Sequence, residues 1–200
     1  MPELLTRIDG YSGLEQTKVA TKLMMLTFLR TNELRWAEWT EFDFDAKEWR
    51  VPAERMKGDL VKKATDEDHI VPLASQTIAI LQDLKQINGK QRFLFPGVRN
   101  PRTQAMSAAT INKALKVLGF EGKQTGHGFR SLASTILNER SDFHPDAIER
   151  QLAHIEGNKV RGAYNHAKHM EERHRLMQWW ADYLDGAAGK QKISKVVNIR

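Results

Sequence analysis

The sequence predicts a mainly α-helical domain that carries one small three-stranded antiparallel sheet. Apolar residues recur at helical spacing over Thr17 to Leu29, and helical patterns dominate again after Arg130. Two short alternating stretches, Phe42-Asp43-Phe44 and Glu48-Trp49-Arg50-Val51, flank the turn Asp45-Ala46-Lys47 and read as a hairpin. His69-Ile70-Val71-Pro72-Leu73 reads as the third strand. A chain of 200 residues is long enough for a real core. The domain is expected to span 1–185, with a basic tail over 186–200.

In the first helix Val19, Ala20, Leu23, Met24, Leu26 and Thr27 form the apolar face, and Arg30 closes it. A second short helix is expected through Glu33 to Glu38. The polar stretch Lys57 to Asp68, between the second and third strands, is long for a hairpin loop and is expected to be mobile. Ser75 reads as the cap of a helix through Ile87, with Ile78, Leu81 and Leu84 inward. Phe93-Leu94-Phe95-Pro96-Gly97 ends in a turn, and Arg99 to Met106 forms a basic loop. Ser107 reads as the cap of the next helix, with Ile111, Leu115 and Leu118 inward and Gly119 and Gly122 at its end. Further helices follow over Phe129 to Asn138, Pro145 to Ala153, Lys159 to about His166, and Met170 to Leu184, with Pro145 in a first turn. From Gly186 onward Lys190, Lys192, Lys195 and Arg200 alternate with Ile193, Val196, Val197 and Ile199. That tail reads as a flexible end or as a segment that orders on a partner.

Composition narrows the class. Hydrophobic residues make up 40% of the chain, as in soluble globular proteins. The net charge of +6 favours a polyanionic partner. Cysteine is absent, which excludes disulfides and thiolate metal sites. No apolar run reaches the length of a membrane span, and Met-Pro-Glu-Leu-Leu lacks the regions of a signal peptide.

A set of basic and nucleophilic residues runs in order along the chain: Arg30, Lys57, His127, Arg130, His154 and Tyr164. Phosphoryl transfer needs cations against the non-bridging oxygens, where charge concentrates as the nucleophile arrives. Arginine suits that task because its planar fork makes paired charge-assisted bonds. His127 and Arg130 are three apart, so at a helix start they share a face, and the helix N-terminus adds positive potential. Glu33, one turn after Arg30, is placed to orient that guanidinium. A tyrosine with a pKa near 10 attacks only when a neighbour takes its proton or cations stabilise the phenolate. Tyr183 sits in an apolar stripe with Trp179 and Trp180, and Tyr11 sits in a Gly-Tyr-Ser-Gly loop. A metal reading of His166, His169 and His174 fails on spacing and lacks a carboxylate motif. No Walker motif or dinucleotide fingerprint implies a nucleotide cofactor.

The stretches around these residues are Leu-Thr-Phe-Leu-Arg-Thr-Asn-Glu-Leu-Arg, Val-Pro-Ala-Glu-Arg-Met-Lys, His-Ile-Val-Pro-Leu, His-Gly-Phe-Arg, Gln-Leu-Ala-His and Ala-Tyr-Asn-His. Together, from about Leu4 to Leu184, they resemble the catalytic domain of tyrosine recombinases, and most closely the integrases of prophages and genomic islands. The resemblance implies site-specific DNA recombination, with Tyr164 forming a 3′-phosphotyrosyl bond and the bond energy kept there, so that neither metal nor ATP is needed. It implies Arg30, His127 and Arg130 on the phosphate, His154 on the phosphate or the attacking oxygen, and Lys57 as general acid. Lys62 and Lys63 remain rivals for that last role, because the loop is longer than the family pattern. Alanine before His154 replaces the more usual glycine and matches the prophage branch. Arg55, Lys62, Lys63, Arg99 and Arg102 are expected to touch DNA. The implied partner is double-stranded DNA in the bacterial cytoplasm, in association with the nucleoid. The implied assembly is a homotetramer of a longer protein, with this chain alone a monomer and no membrane contact. A type IB topoisomerase-like enzyme and a DNA-binding remnant without turnover are the competing readings.

Overall fold

The computed structural model describes residues 1–56, 68–153 and 169–190. It opens with α1 (Pro2–Asp9), which the sequence periodicity does not announce because only Leu4 and Ile8 are fully inward in its eight residues. Pro2 in the first turn has no N–H to waste there. The centre of the fold is α2 (Glu15–Thr27). It was expected to bury one face, but Thr17, Val19, Ala20, Thr21 and every residue from Leu23 to Thr27 are buried. Helices on several sides cover it, and the threonines tolerate burial because Thr21 and Thr27 donate to carbonyls one turn back, at 2.8 and 2.7 Å.

α2 ends at Thr27, two residues before the expected end at Leu29, because Phe28 takes a left-handed conformation with φ of 61°. Its ring is fully buried and meets Trp180 edge to face at 5.5 Å. Burial of two such side chains contributes about 2–3 kcal/mol each, enough to offset the left-handed backbone. The next helix, α3 (Thr31–Arg35), begins earlier and ends earlier than the expected span of Glu33 to Glu38. A single 3₁₀ turn over Trp39–Glu41 follows it.

The sheet matches expectation. β1 (Phe42–Asp43), β2 (Glu48–Val51) and β3 (His69–Pro72) lie antiparallel in that order, with Phe42 opposite Trp49 and Trp49 opposite Val71. The hairpin turn is set by the Asp43 carboxylate accepting from Ala46 N–H at 2.8 Å and by Lys47 at φ of 56°. Trp49, Val51 and Val71 are completely buried and attach the sheet to the helices.

α4 (Ser75–Asn88) buries Leu81 and Leu84, while Ile78 is half-buried. Ser75 does not cap it. Ala74 is the capping position, and the Ser75 backbone N–H and hydroxyl instead meet Gln178 and Gln76, both at 2.9 Å. α5 (Thr110–Val117) starts after Ser107, whose hydroxyl accepts from Ala109 N–H at 3.3 Å, and Leu118 is half-buried. Gly119, at φ of 83°, ends it: its N–H reaches Lys116 O and that of Phe120 reaches Leu115 O, both at 2.9 Å. α6 (Gly128–Arg140), α7 (Pro145–Gln151) and α8 (Met170–Ala187) complete the described chain. α7 is capped by His144, whose ring nitrogen accepts from Asp146 N–H at 3.2 Å. α8 runs past the expected end at Leu184 and through Gly186. Gly189, at φ of 72°, terminates it, with its N–H on Gly186 O at 3.1 Å and Lys190 N–H on Asp185 O at 2.9 Å. No helix among the described residues is long and apolar enough to cross a membrane.

Candidate active site

The corner between α2 and α3 positions the first arginine. The left-handed turn at Phe28 sends Leu29 into the core and leaves the Arg30 side chain 23% exposed at the start of α3. Glu33, 1% exposed, accepts from the Arg30 backbone N–H and from its guanidinium, each at 2.8 Å. One buried carboxylate thus fixes both ends of Arg30 and closes the orphan N–H at the helix start. The expected orienting role of Glu33 has this geometry.

The second arginine arrives from α6. Arg130, only 4% exposed, donates to the carbonyl oxygens of Phe28 and Leu152. Burial pushes its pKa down to about 10; the neighbouring Arg30 charge adds to this, and Glu33 and Glu149 oppose it. Its hydrogen-bond partners among the described residues are neutral oxygens, so an anion brought to this guanidinium would relieve the cost of its desolvation. His127 lies in the turn just before α6 and is exposed; its carbonyl accepts from Arg130 N–H at 3.1 Å. Gly126 is a true close approach: a Cβ there would stand 3.2 Å from Met24 Cε and 3.3 Å from Thr31 Oγ1. The His127 turn therefore presses on α2 and α3 beside Arg30.

Arg30 follows Phe28 by two residues, and His154 follows Leu152 by two. The two carbonyls that hold Arg130 are thus the backbone anchors of two other candidate segments. His154, Tyr164, Lys57, Lys62 and Lys63 lie outside the described residues, as does the expected helix Lys159 to His166.

Arg55 faces inward rather than toward a ligand. Its fork binds the Glu41 carboxylate, with Nη1 on Oε1 at 2.7 Å, and it also donates to Trp36 O at 2.6 Å. Only 13% of its side chain is exposed, so a phosphate contact would require breaking a buried ion pair. Arg99 and Arg102 stand exposed on the loop closed by the Pro96–Ala105 bridge. Tyr183 stacks on Trp179 at 5.5 Å and on Trp180 at 5.7 Å, the packing role its apolar stripe suggests. His169 and His174 turn to different carboxylates, Glu172 at 3.1 Å and Glu48 at 3.8 Å, so they do not form one ligand set. His144, Asp146 and His169 do offer ligand atoms within 4.8 Å of one another. One nitrogen of each ring is already engaged: His144 Nδ1 caps α7 and His169 Nδ1 meets Glu172.

Sequence reasoning missed Arg173 and Gln151. Both are buried, and Arg173 Nε and Nη2 donate to the Gln151 side-chain oxygen at 3.1 and 2.9 Å. Within the amphipathic α8 an arginine reads as solvated, so no local signal marks it.

This mainly helical architecture with a three-stranded antiparallel sheet is the fold of recombinase and integrase catalytic domains. Solved structures share it: an integrase from mycobacterium phage Brujita aligns with a TM-score of 0.64 at 14% identity, over 92% of this chain and 61% of that one. The XerA recombinase aligns at 0.56 and 20% identity, over 84% of this chain and 61% of that one. The Tn1549 transposon integrase, solved in complex with a circular intermediate DNA, aligns at 0.57 and 16% identity, over 85% and 62%. The model of the phage integrase family matches residues 1–171, and the chain belongs to that family. The integrase of Enterobacteria phage P4 is 47% identical over 192 residues, 92% of this chain and 44% of that protein. Prophage integrase IntA of Escherichia coli K12 is 41% identical over 201 residues, 100% of this chain and 46% of that protein. The chain thus spans less than half the length of these two relatives.

Proposed function

We propose that this chain is the catalytic part of a site-specific DNA recombinase that integrates and excises a prophage or genomic island. The observation that carries the reading is Arg130: a buried guanidinium whose partners among the described residues are neutral, beside a second arginine held by Glu33. Such a pair stabilises charge on a phosphate, and the buried Arg130 contact is stronger than the same contact in water.

In this reading Arg30 and Arg130 hold the non-bridging oxygens, and His127 and His154 complete the set of donors. The Tyr164 oxygen attacks phosphorus as its proton leaves to a neighbouring base. The bond from phosphorus to the 5′ oxygen breaks, and Lys57, or else Lys62 or Lys63, protonates the leaving oxygen. The 5′ hydroxyl of a partner strand then attacks the phosphotyrosine and releases Tyr164. Each step exchanges one phosphoester for another, so the chemistry needs neither ATP nor a metal. The catalytic domain takes in the whole of α8, through Ala187 and two residues past the expected boundary at 185, Arg99 and Arg102 contribute to the DNA surface, and the residues that follow form a basic tail. The substrate is double-stranded DNA in the bacterial cytoplasm, bound by a homotetramer of the longer protein.

The test is single-turnover cleavage of a nicked duplex carrying the element's own junction sequence. A covalent protein–DNA adduct is expected from the native chain and not from Tyr164→Phe, with DNA affinity nearly unchanged by the loss of one hydroxyl. Arg30→Lys and Arg130→Lys should each slow cleavage by orders of magnitude, because lysine keeps the charge and loses the fork. An adduct that persists in Tyr164→Phe removes that tyrosine from the mechanism. Supercoil relaxation without strand exchange would favour the topoisomerase-like reading.

A further inference from the structure

Two buried guanidiniums meet at one short turn. Arg130 donates to the Leu152 carbonyl, and the adjoining residue, Gln151, receives two bonds from Arg173 at its side-chain oxygen, at 3.1 and 2.9 Å. Gln151 and Arg173 are 1% and 2% exposed. Arg173 also donates to Ile70 O, so its planar fork spans α7, α8 and β3. The Gln151 amide nitrogen has no partner among the described residues, so the side chain's ties there run through its oxygen to Arg173. Leu152 ends α7, where last-turn carbonyls have no partner inside the helix and must find one elsewhere. The Leu152 carbonyl finds Arg130.

The placement in the chain is as pointed as the geometry. Ile70 lies just after the segment with Lys57, Gln151 just before His154, and Arg173 just after the segment with Tyr164. This guanidinium therefore joins the chain just after the segment with Lys57 to the chain on both sides of the segment with His154 and Tyr164. Burial drives the Arg173 pKa down to about 10; the Arg150 charge adds to this and Glu48 opposes it. Packing alone does not call for such a cation: an apolar side chain fills the same volume without the desolvation cost.

We propose that Arg173 is a positioning residue for the cleavage site: through Gln151 it sets the Leu152 carbonyl, which in turn aims the Arg130 guanidinium. The inference rests on the reading of Arg130 as a phosphate ligand. Arg173 touches no reacting atom in it.

The test follows the Arg130 Nε–H resonance in the 200-residue chain by NMR, assigned by its loss in Arg130→Lys, with sulfate titrated as the probe. In Gln151→Leu and Arg173→Met the resonance should move even without sulfate, and sulfate affinity at Arg130 should fall about tenfold. Arg173→Lys should behave like Arg173→Met, since the fork and not the charge sets the turn. Leu184→Ala, which loosens the far end of the same helix, should leave the resonance in place. If Arg173→Met does not fold, Gln151→Leu decides. An unmoved Arg130 resonance in folded Gln151→Leu overturns the relay, and an equal shift in Leu184→Ala reduces Arg173 to a packing residue. If sulfate leaves the native Arg130 signal untouched while the variants still move it, the phosphate assignment falls and the relay geometry stands.

Discussion

Replacing Glu33 by glutamine tests the most tightly specified contact of the site. The carboxylate is 1% exposed and receives two bonds of 2.8 Å, from the Arg30 N–H and from its guanidinium. Glutamine keeps the volume and one acceptor oxygen, so one bond survives, and its NH₂ group meets a donor. A hydrogen bond to a charged group contributes about 1.5–3 kcal/mol, and breaking a buried pair outright costs about 3–5 kcal/mol. The Arg30 side chain is 23% exposed, so water can reach the freed guanidinium, which places the expected loss near the lower range, at about 2–3 kcal/mol. For a domain of this size each kcal/mol lowers the melting temperature by roughly 2–4 °C, giving a drop of roughly 4–12 °C. Glu33 also supports the Arg130 cation, so the substitution weakens both arginines at once. Thermal and urea unfolding of the chain measure the first effect, and single-turnover cleavage measures the second. A loss under about 1 kcal/mol would refute the buried pair as the source of Arg30's placement.

Ala153 holds φ at 48°, where a Cβ is strained, and glycine there should raise the unfolding free energy by about 1 kcal/mol in a urea titration. Asp9 lies between Lys22 and Lys190; burial acts to raise its pKa, but the two ammonium groups prevail and hold it below the ordinary value of 3.8. Its contribution is therefore present at neutral pH and lost as the pH falls through the lowered value. The stability gap between the native chain and Asp9→Asn should close below about pH 4, as melts across pH would show. DNA binding by this chain should weaken steeply with salt, and Arg99→Ala with Arg102→Ala should reduce the log–log slope by about 2 in a salt titration.

The local placement of Arg30, Glu33, His127 and Arg130 was legible because its signals are local. The three-residue spacing of His127 and Arg130 needs only a helix start, and the Glu33 clamp on Arg30 needs only one helical turn. The hairpin from Phe42 to Val51 follows from alternation around a polar turn, and Gly119 stops α5 because it takes a left-handed conformation with ease. Other features escaped local reading. The end of α8 passed Gly186 because a glycine stops a helix only where the following N–H groups can turn back, and that happens at Gly189. Arg55 looked like a DNA contact by charge, but Glu41, 14 residues away, takes it inward.

The sequence by itself marked which residue types could hold a phosphate and set Arg130 in the first turn of its helix, since periodicity and capping act within a few residues. Only the tertiary structure decided what those residues lean on. Arg130 rests on a carbonyl 102 residues earlier and another 22 later, and Arg173 reaches 22 and 103 residues back for its acceptors. The physical reason is that a buried guanidinium must find oxygens wherever packing leaves carbonyls unpaired, and which helix ends face one another is settled by the whole core.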